Sequence, residues 1–150
     1  MPTKKKPVRL PSKLSALLRL AVKDAKAVSR RKAYRLEMGS WHRPEPDGPC
    51  LVCMAGATMA NTLKVDPRCM IEPQELDEST RNKLYAIDSA RAGAFQSALW
   101  ELHQRRPPVS KRETLRRIGS EVYAKHKSAD GRAPWSVYLA AADELEKAGL

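Results

Sequence analysis

A chain of 150 residues, 42% of them apolar, is long enough to bury one core without disulfide or metal staples. No apolar run in it approaches the roughly 20 residues that cross a bilayer, which excludes a membrane-spanning helix. The net charge of +11 is local: residues 1–40 hold 12 Lys and Arg against 2 Asp and Glu, residues 41–100 hold 6 against 8, and residues 101–150 hold 10 against 7.

Residues 1–11 carry Lys4, Lys5, Lys6 and Arg9 among three prolines with almost nothing to bury, and read as a mobile basic arm ahead of a single domain over 12–150. The arm's charge suits the start of a signal peptide, but no apolar stretch or cleavage site follows, so a cytoplasmic location is expected. Ser12 is placed as the N-cap of a helix over about 13–32. Leu14, Leu17, Leu18, Ala21, Val22, Ala25 and Val28 recur on one face of a 3.6-residue period. Lys13, Arg19, Lys23, Lys26 and Arg30 take the rest of the circumference, and Arg31, Lys32 and Arg35 extend the basic run. Tyr34, Leu36 and Met38 alternate with charged residues, which suits a short extended segment too small to support a sheet alone.

Pro44, Pro46, Gly48 and Pro49 make a turn, and Pro49 is placed at the first position of a helix over about 49–63. From Cys50 to Ala60 only Thr58 is polar, so this helix is expected at the centre of the domain. Cys53, Gly56, Ala57 and Ala60 form a small-residue stripe against which a neighbouring helix packs closely. Glycine costs a helix interior about 1 kcal/mol relative to Ala, and that packing is the expected compensation at Gly56. Asp66-Pro67 breaks the pattern. Helices are expected over about 74–91 and 94–105, divided near Gly93, the second burying Phe95, Ala98, Leu99 and Leu102. Ser110 and Glu113 fit a capping box for a helix that carries Leu115, Ile118 and Val122 to about 127. After a loop at 128–134, a last helix from about 134 presents Trp135, Tyr138, Leu139, Ala142 and Leu145, and Gly149 stops it. The eight aromatic residues leave the core to Leu, Ala, Val and Met, which suits closely packed helices. The expected fold is all-α, a bundle of five to six helices around the central one. Trp41 and Trp135, beside proline-containing turns, are expected to anchor loops to the core.

Cys50 and Cys53 are three apart and leave the same side of a helix, so with His42 and Cys69 they make a conceivable four-ligand zinc set. No second C-x-x-C and no paired histidines accompany them. The reading adopted is that the cysteines fill space as small apolar residues, with no cofactor. A third reading gives Cys50 a helix N-terminus and His42 as a base, but the oxyanion stabiliser and orienting group of a thiol enzyme are missing. An odd number of cysteines fits a reducing compartment.

The segment MGSWHRPEPDGPCLVCMAGATMANTL, residues 38–63, resembles small proteins of tailed bacteriophages and prophages. The resemblance lies in M-x-x-W-H, a Pro/Gly turn and C-x-V-C-x-A-G-x-x-M-A. It implies an accessory protein made in the cytoplasm of an infected bacterium, and it brings no catalytic residues. The expected function is non-enzymatic binding of nucleic acid, or of a nucleic-acid-associated complex, through the basic residues from Lys4 to Arg35. The alternative is inhibition of a host defence or metabolic protein through an acidic surface on that protein. No membrane partner is expected.

Overall fold

The structure, a computed structural model, describes residues 8–128 and 133–150. Its elements run α1 (Leu14–Ser29), β1 (Tyr34–Leu36), β2 (His42–Arg43), β3 (Cys50–Val52), α2 (Met54–Asn61), a 3₁₀ turn (Pro73–Glu75), α3 (Glu78–Arg91), α4 (Phe95–His103), α5 (Val109–Ser128) and α6 (Trp135–Lys147). The chain is therefore mostly helical but not all-α. Its small sheet has the order β1-β3-β2, with β1 parallel and β2 antiparallel to β3.

The apolar face read for α1 is the one the protein buries, from Leu14 to Val28. Each of its large side chains contributes roughly 1.5–3 kcal/mol of burial. The helix packs on α2 on one side and α6 on the other. Its N-cap is Lys13, with no side-chain cap bond, rather than Ser12. Leu10 also belongs to the core, and its carbonyl accepts from Lys83 Nζ at 2.7 Å. The packed domain thus takes in a residue read as part of the arm. Lys4, Lys5 and Lys6, and residues 129–132 of the loop expected at 128–134, lie outside the described residues.

The helix expected over 49–63 divides into two elements. Cys50, Leu51 and Val52 form the middle strand, registered on Tyr34, Arg35 and Leu36 on one side and on His42 and Arg43 on the other. Cys53 ends the strand in extended backbone and caps α2, its Sγ accepting from the Gly56 backbone N at 3.3 Å. A short apolar run does not distinguish a central strand from a buried helix by periodicity. Here two flanking strands supply backbone partners that a lone helix would not need. Centrality is correct: residues 50–60 are all buried.

Gly56 faces a backbone, but not that of a helix. A Cβ there would lie 1.5 Å from the carbonyl oxygen of Trp41, in the segment leading into β2. The glycine therefore seats the sheet edge on α2. Trp41 and Trp135 are half-buried anchors, Trp41 edge-on to Tyr85 at 5.8 Å and Trp135 against Tyr138 at 6.4 Å. A buried carboxylate, Asp24 of α1, joins α1 to the end of α2 by accepting from Asn61 Nδ2 at 2.7 Å and Thr62 Oγ1 at 2.6 Å. Those donors answer the cost of burying its charge.

The capping box read at Ser110 and Glu113 does not form. α5 begins at Val109, two residues before the start that a cap at Ser110 would give, and Glu113 pairs with Arg116, three residues on. A reciprocal box forms instead at Glu72 and Glu75 on the 3₁₀ turn, and Asp77 caps α3 by accepting from Thr80 N at 3.1 Å. The division near Gly93 is as read, and the residue has φ +85°.

Candidate nucleic-acid interface

Arg19, Lys23, Lys26 and Arg30 stand at i, i+4, i+7 and i+11, so successive turns of α1 stack them in one stripe opposite the buried face. At 1.5 Å per residue the stripe is roughly 16 Å long. It borders a groove of about 360 Å³ between α1 and α6, with Val22, Ala27 and Leu139 as the apolar part of its lining. Lys23 and Arg30 are exposed, Arg19 and Lys26 half-buried.

The four cations are not equivalent. Arg19 donates to Asp143 Oδ1 at 2.7 Å and Glu146 Oε2 at 2.9 Å on α6, and these hydrogen bonds raise its pKa further. Its charge is answered within the molecule. Lys23, Lys26 and Arg30 have no ion pair among the described residues. The exposed basic surface continues past the end of α1. Arg31 lies over the Tyr34 ring at 4.8 Å, and Lys32 and Arg68 line a cavity of about 370 Å³ that also holds Glu45 and Asp47. Arg9, Lys13 and Arg35 are exposed as well.

The sulfur-containing segment is built differently. His42 Nδ1 lies 2.7 Å from the Cys69 carbonyl oxygen, to which it donates as Nδ1–H. Cys50 Sγ lies 3.6 Å from His42 Nδ1 and 3.8 Å from Nε2. Burial pushes the Cys50 and Cys53 thiols up to about 11. Burial also lowers the His42 pKa, against the opposing effect of the Cys69 carbonyl. The pair is therefore a neutral thiol beside a neutral imidazole, whereas a nucleophilic cysteine needs its thiolate stabilised. Of the four candidate ligands, His42 and Cys50 meet. Cys53 turns its sulfur to the start of α2, and Cys69 is exposed and gives His42 its carbonyl. Among the described residues no group of three or more His, Cys, Asp or Glu is placed to hold a metal ion.

No family model, curated protein or solved structure matches the chain.

Two surface aromatics escaped the sequence reading: Trp100 of α4 and Tyr123 of α5 are 46% and 53% exposed. A signal for both was present. Trp100 falls off the Phe95, Ala98, Leu99 and Leu102 stripe, and Tyr123 sits beside Val122 outside the buried stripe of its helix. Asp24 escaped as well, because a lone carboxylate on a basic helix looks like ordinary surface until Asn61 and Thr62 are folded against it.

Proposed function

We propose that this chain is a non-enzymatic accessory protein of the tailed-phage type, acting in the cytoplasm of an infected bacterium. It binds nucleic acid, or a complex built on nucleic acid, through its basic first quarter. One observation carries the reading: exposed Lys23 and Arg30, with half-buried Lys26 between them, form a stripe on a helix whose other face is locked into the core, and no acidic side chain among the described residues pairs with them. A rigid row of cations matches a row of phosphates and carries no base-specific information. Arg9, Lys13, Arg31, Lys32 and Arg35 widen the same surface.

The test is a mobility-shift titration with a labelled duplex at several salt concentrations. With about five phosphate contacts, affinity falls several-hundredfold between 50 and 200 mM salt. Replacing Lys23, Lys26 and Arg30 together by Ala flattens that dependence, while Arg19→Ala changes it least. Salt-independent binding, or no binding at the lower concentration, overturns the reading. A single stoichiometric bacterial protein retained after nuclease treatment transfers the surface to an acidic protein partner instead.

A further inference from the structure

We propose that the groove between α4 and α5 is a second nucleic-acid site that takes a single strand, with bases stacking on Trp100 and Tyr123 and phosphates meeting Arg106 and Arg112. It shares no residue with the α1 stripe and stands whether or not that surface binds duplex.

Two adjoining hollows make the groove. One, of about 440 Å³, lies over Phe95 and Leu115 and ends at Tyr123; the other, of about 470 Å³, lies between Trp100, Arg106, Pro107 and Arg112. Gln96 and Ser97 line both, so the two are continuous along α4. On α5 the lining residues 112, 116, 120 and 123 lie on successive turns, which spreads the groove over roughly 16 Å. Its inner end is fixed by a glycine pair. A Cβ on Gly93 would lie 2.4 Å from the Gly119 carbonyl oxygen, and one on Gly119 would lie 2.2 Å from that of Gly93. The start of α4 therefore rests directly on the middle of α5.

The chemistry of the rim selects the ligand. Arg106, Arg112 and Arg116 are the charged residues that line it, and Arg116 is paired with Glu113, which leaves Arg106 and Arg112 for a ligand. The first turn of α5 has no acidic residue and includes Lys111 and Arg112. Cations at that end oppose the helix dipole, and an anion seated among them relieves the conflict. Trp100 and Tyr123 are more exposed than Trp41 and Trp135, whose rings are half-buried against neighbouring aromatics; Tyr123 stacks one face on the His126 ring at 6.4 Å, which leaves its other face for a base. Flat rings beside guanidinium groups, with amide and hydroxyl groups of Gln96 and Ser97 between them, form a stacking platform with an electrostatic edge. A duplex keeps its bases stacked on one another and offers the rings nothing. An acidic peptide answers the arginines but leaves two aromatic faces in water.

The experiment is a fluorescence-anisotropy titration of the full chain with a labelled pyrimidine oligonucleotide, beside a duplex of the same length. Trp100→Ala and Tyr123→Ala each weaken single-strand binding about tenfold or more and leave duplex binding unchanged, while Trp100→Phe retains most of it. Arg106→Ala with Arg112→Ala lowers the salt dependence of single-strand binding by about two contacts. Circular dichroism of each variant confirms that the fold is intact, which both exposed rings permit. Single-strand affinity unaffected by Trp100→Ala overturns the proposal. So does an equal loss for duplex, or competition by polyglutamate as effective as by unlabelled strand. Loss of duplex binding on replacing Lys23, Lys26 and Arg30, with single-strand binding kept, separates this site from the α1 stripe.

Discussion

Residues 50–61 and α5 are opposites. In the first, thiols, glycine and a threonine are all buried, and Thr58 Oγ1 has no hydrogen-bond partner among the described residues. In the second, one stripe of Leu115, Ile118 and Val122 is buried while Tyr123 and several cations face outward. The residues with distinctive chemistry on paper, Cys50, Cys53 and His42, are held neutral and enclosed. The residues that looked ordinary, Trp100, Arg106, Arg112 and Tyr123, rim an open groove. Reactive residue types say little about function until their solvation is known, because burial decides whether a thiol or imidazole carries charge.

Three perturbations sharpen that contrast, in falling order of effect on stability. Gly56→Ala is the most damaging, since its Cβ would overlap the Trp41 carbonyl and both partners are backbone or helix. It costs more than about 3 kcal/mol and is read by chemical denaturation. A loss below about 1 kcal/mol would mean that α2 and the sheet edge do not meet this closely.

Acidification comes next. His42 is held below its usual value near 6.5 by burial, so between the folded and unfolded values the unfolded chain binds more protons. That contribution is complete above the unfolded value and shrinks as the pH falls through 6.5 toward the folded value. The midpoint of thermal unfolding should therefore drop between pH 7 and pH 5. The slope should flatten in His42→Gln, with a remainder from His103, whose pKa is also lowered by partial desolvation and by nearby Arg105. A midpoint that rises on acidification contradicts the buried imidazole.

The smallest effect belongs to the groove. Trp100→Ala and Tyr123→Ala should each change unfolding free energy by less than about 0.5 kcal/mol, because neither ring is enclosed. Trp41→Ala should cost several times more, since its half-buried ring packs on Tyr85. If Trp100 proves as costly as Trp41, it belongs to the core and the groove is closed in solution.

Much of the architecture is legible from the chain itself. The amphipathic period of α1, the stop at Gly93, the stripes of α4 and α5, and Gly149 at φ +79° after α6 all reflect local backbone preference and one-sided burial. The strand at Cys50–Val52 was not legible, because its partners at 34–36 and 42–43 are supplied from a distance and a run of apolar residues suits either state. Of the α1 surface, the spacing of its cations could be read from the sequence. That Arg19 is tied to Asp143 and Glu146 could not, because those acids lie more than a hundred residues away.

The sequence by itself determined which stretches carry most of the helices, which face of each seeks the interior, and that the positive charge is concentrated at one end. Those properties follow from neighbours within a few residues. Only the tertiary structure decided which charges remain unanswered, which thiols are silenced, and which aromatic rings stay in water. Solvation and pairing are properties of what is brought close in space, and folding sets them through contacts that no local pattern encodes.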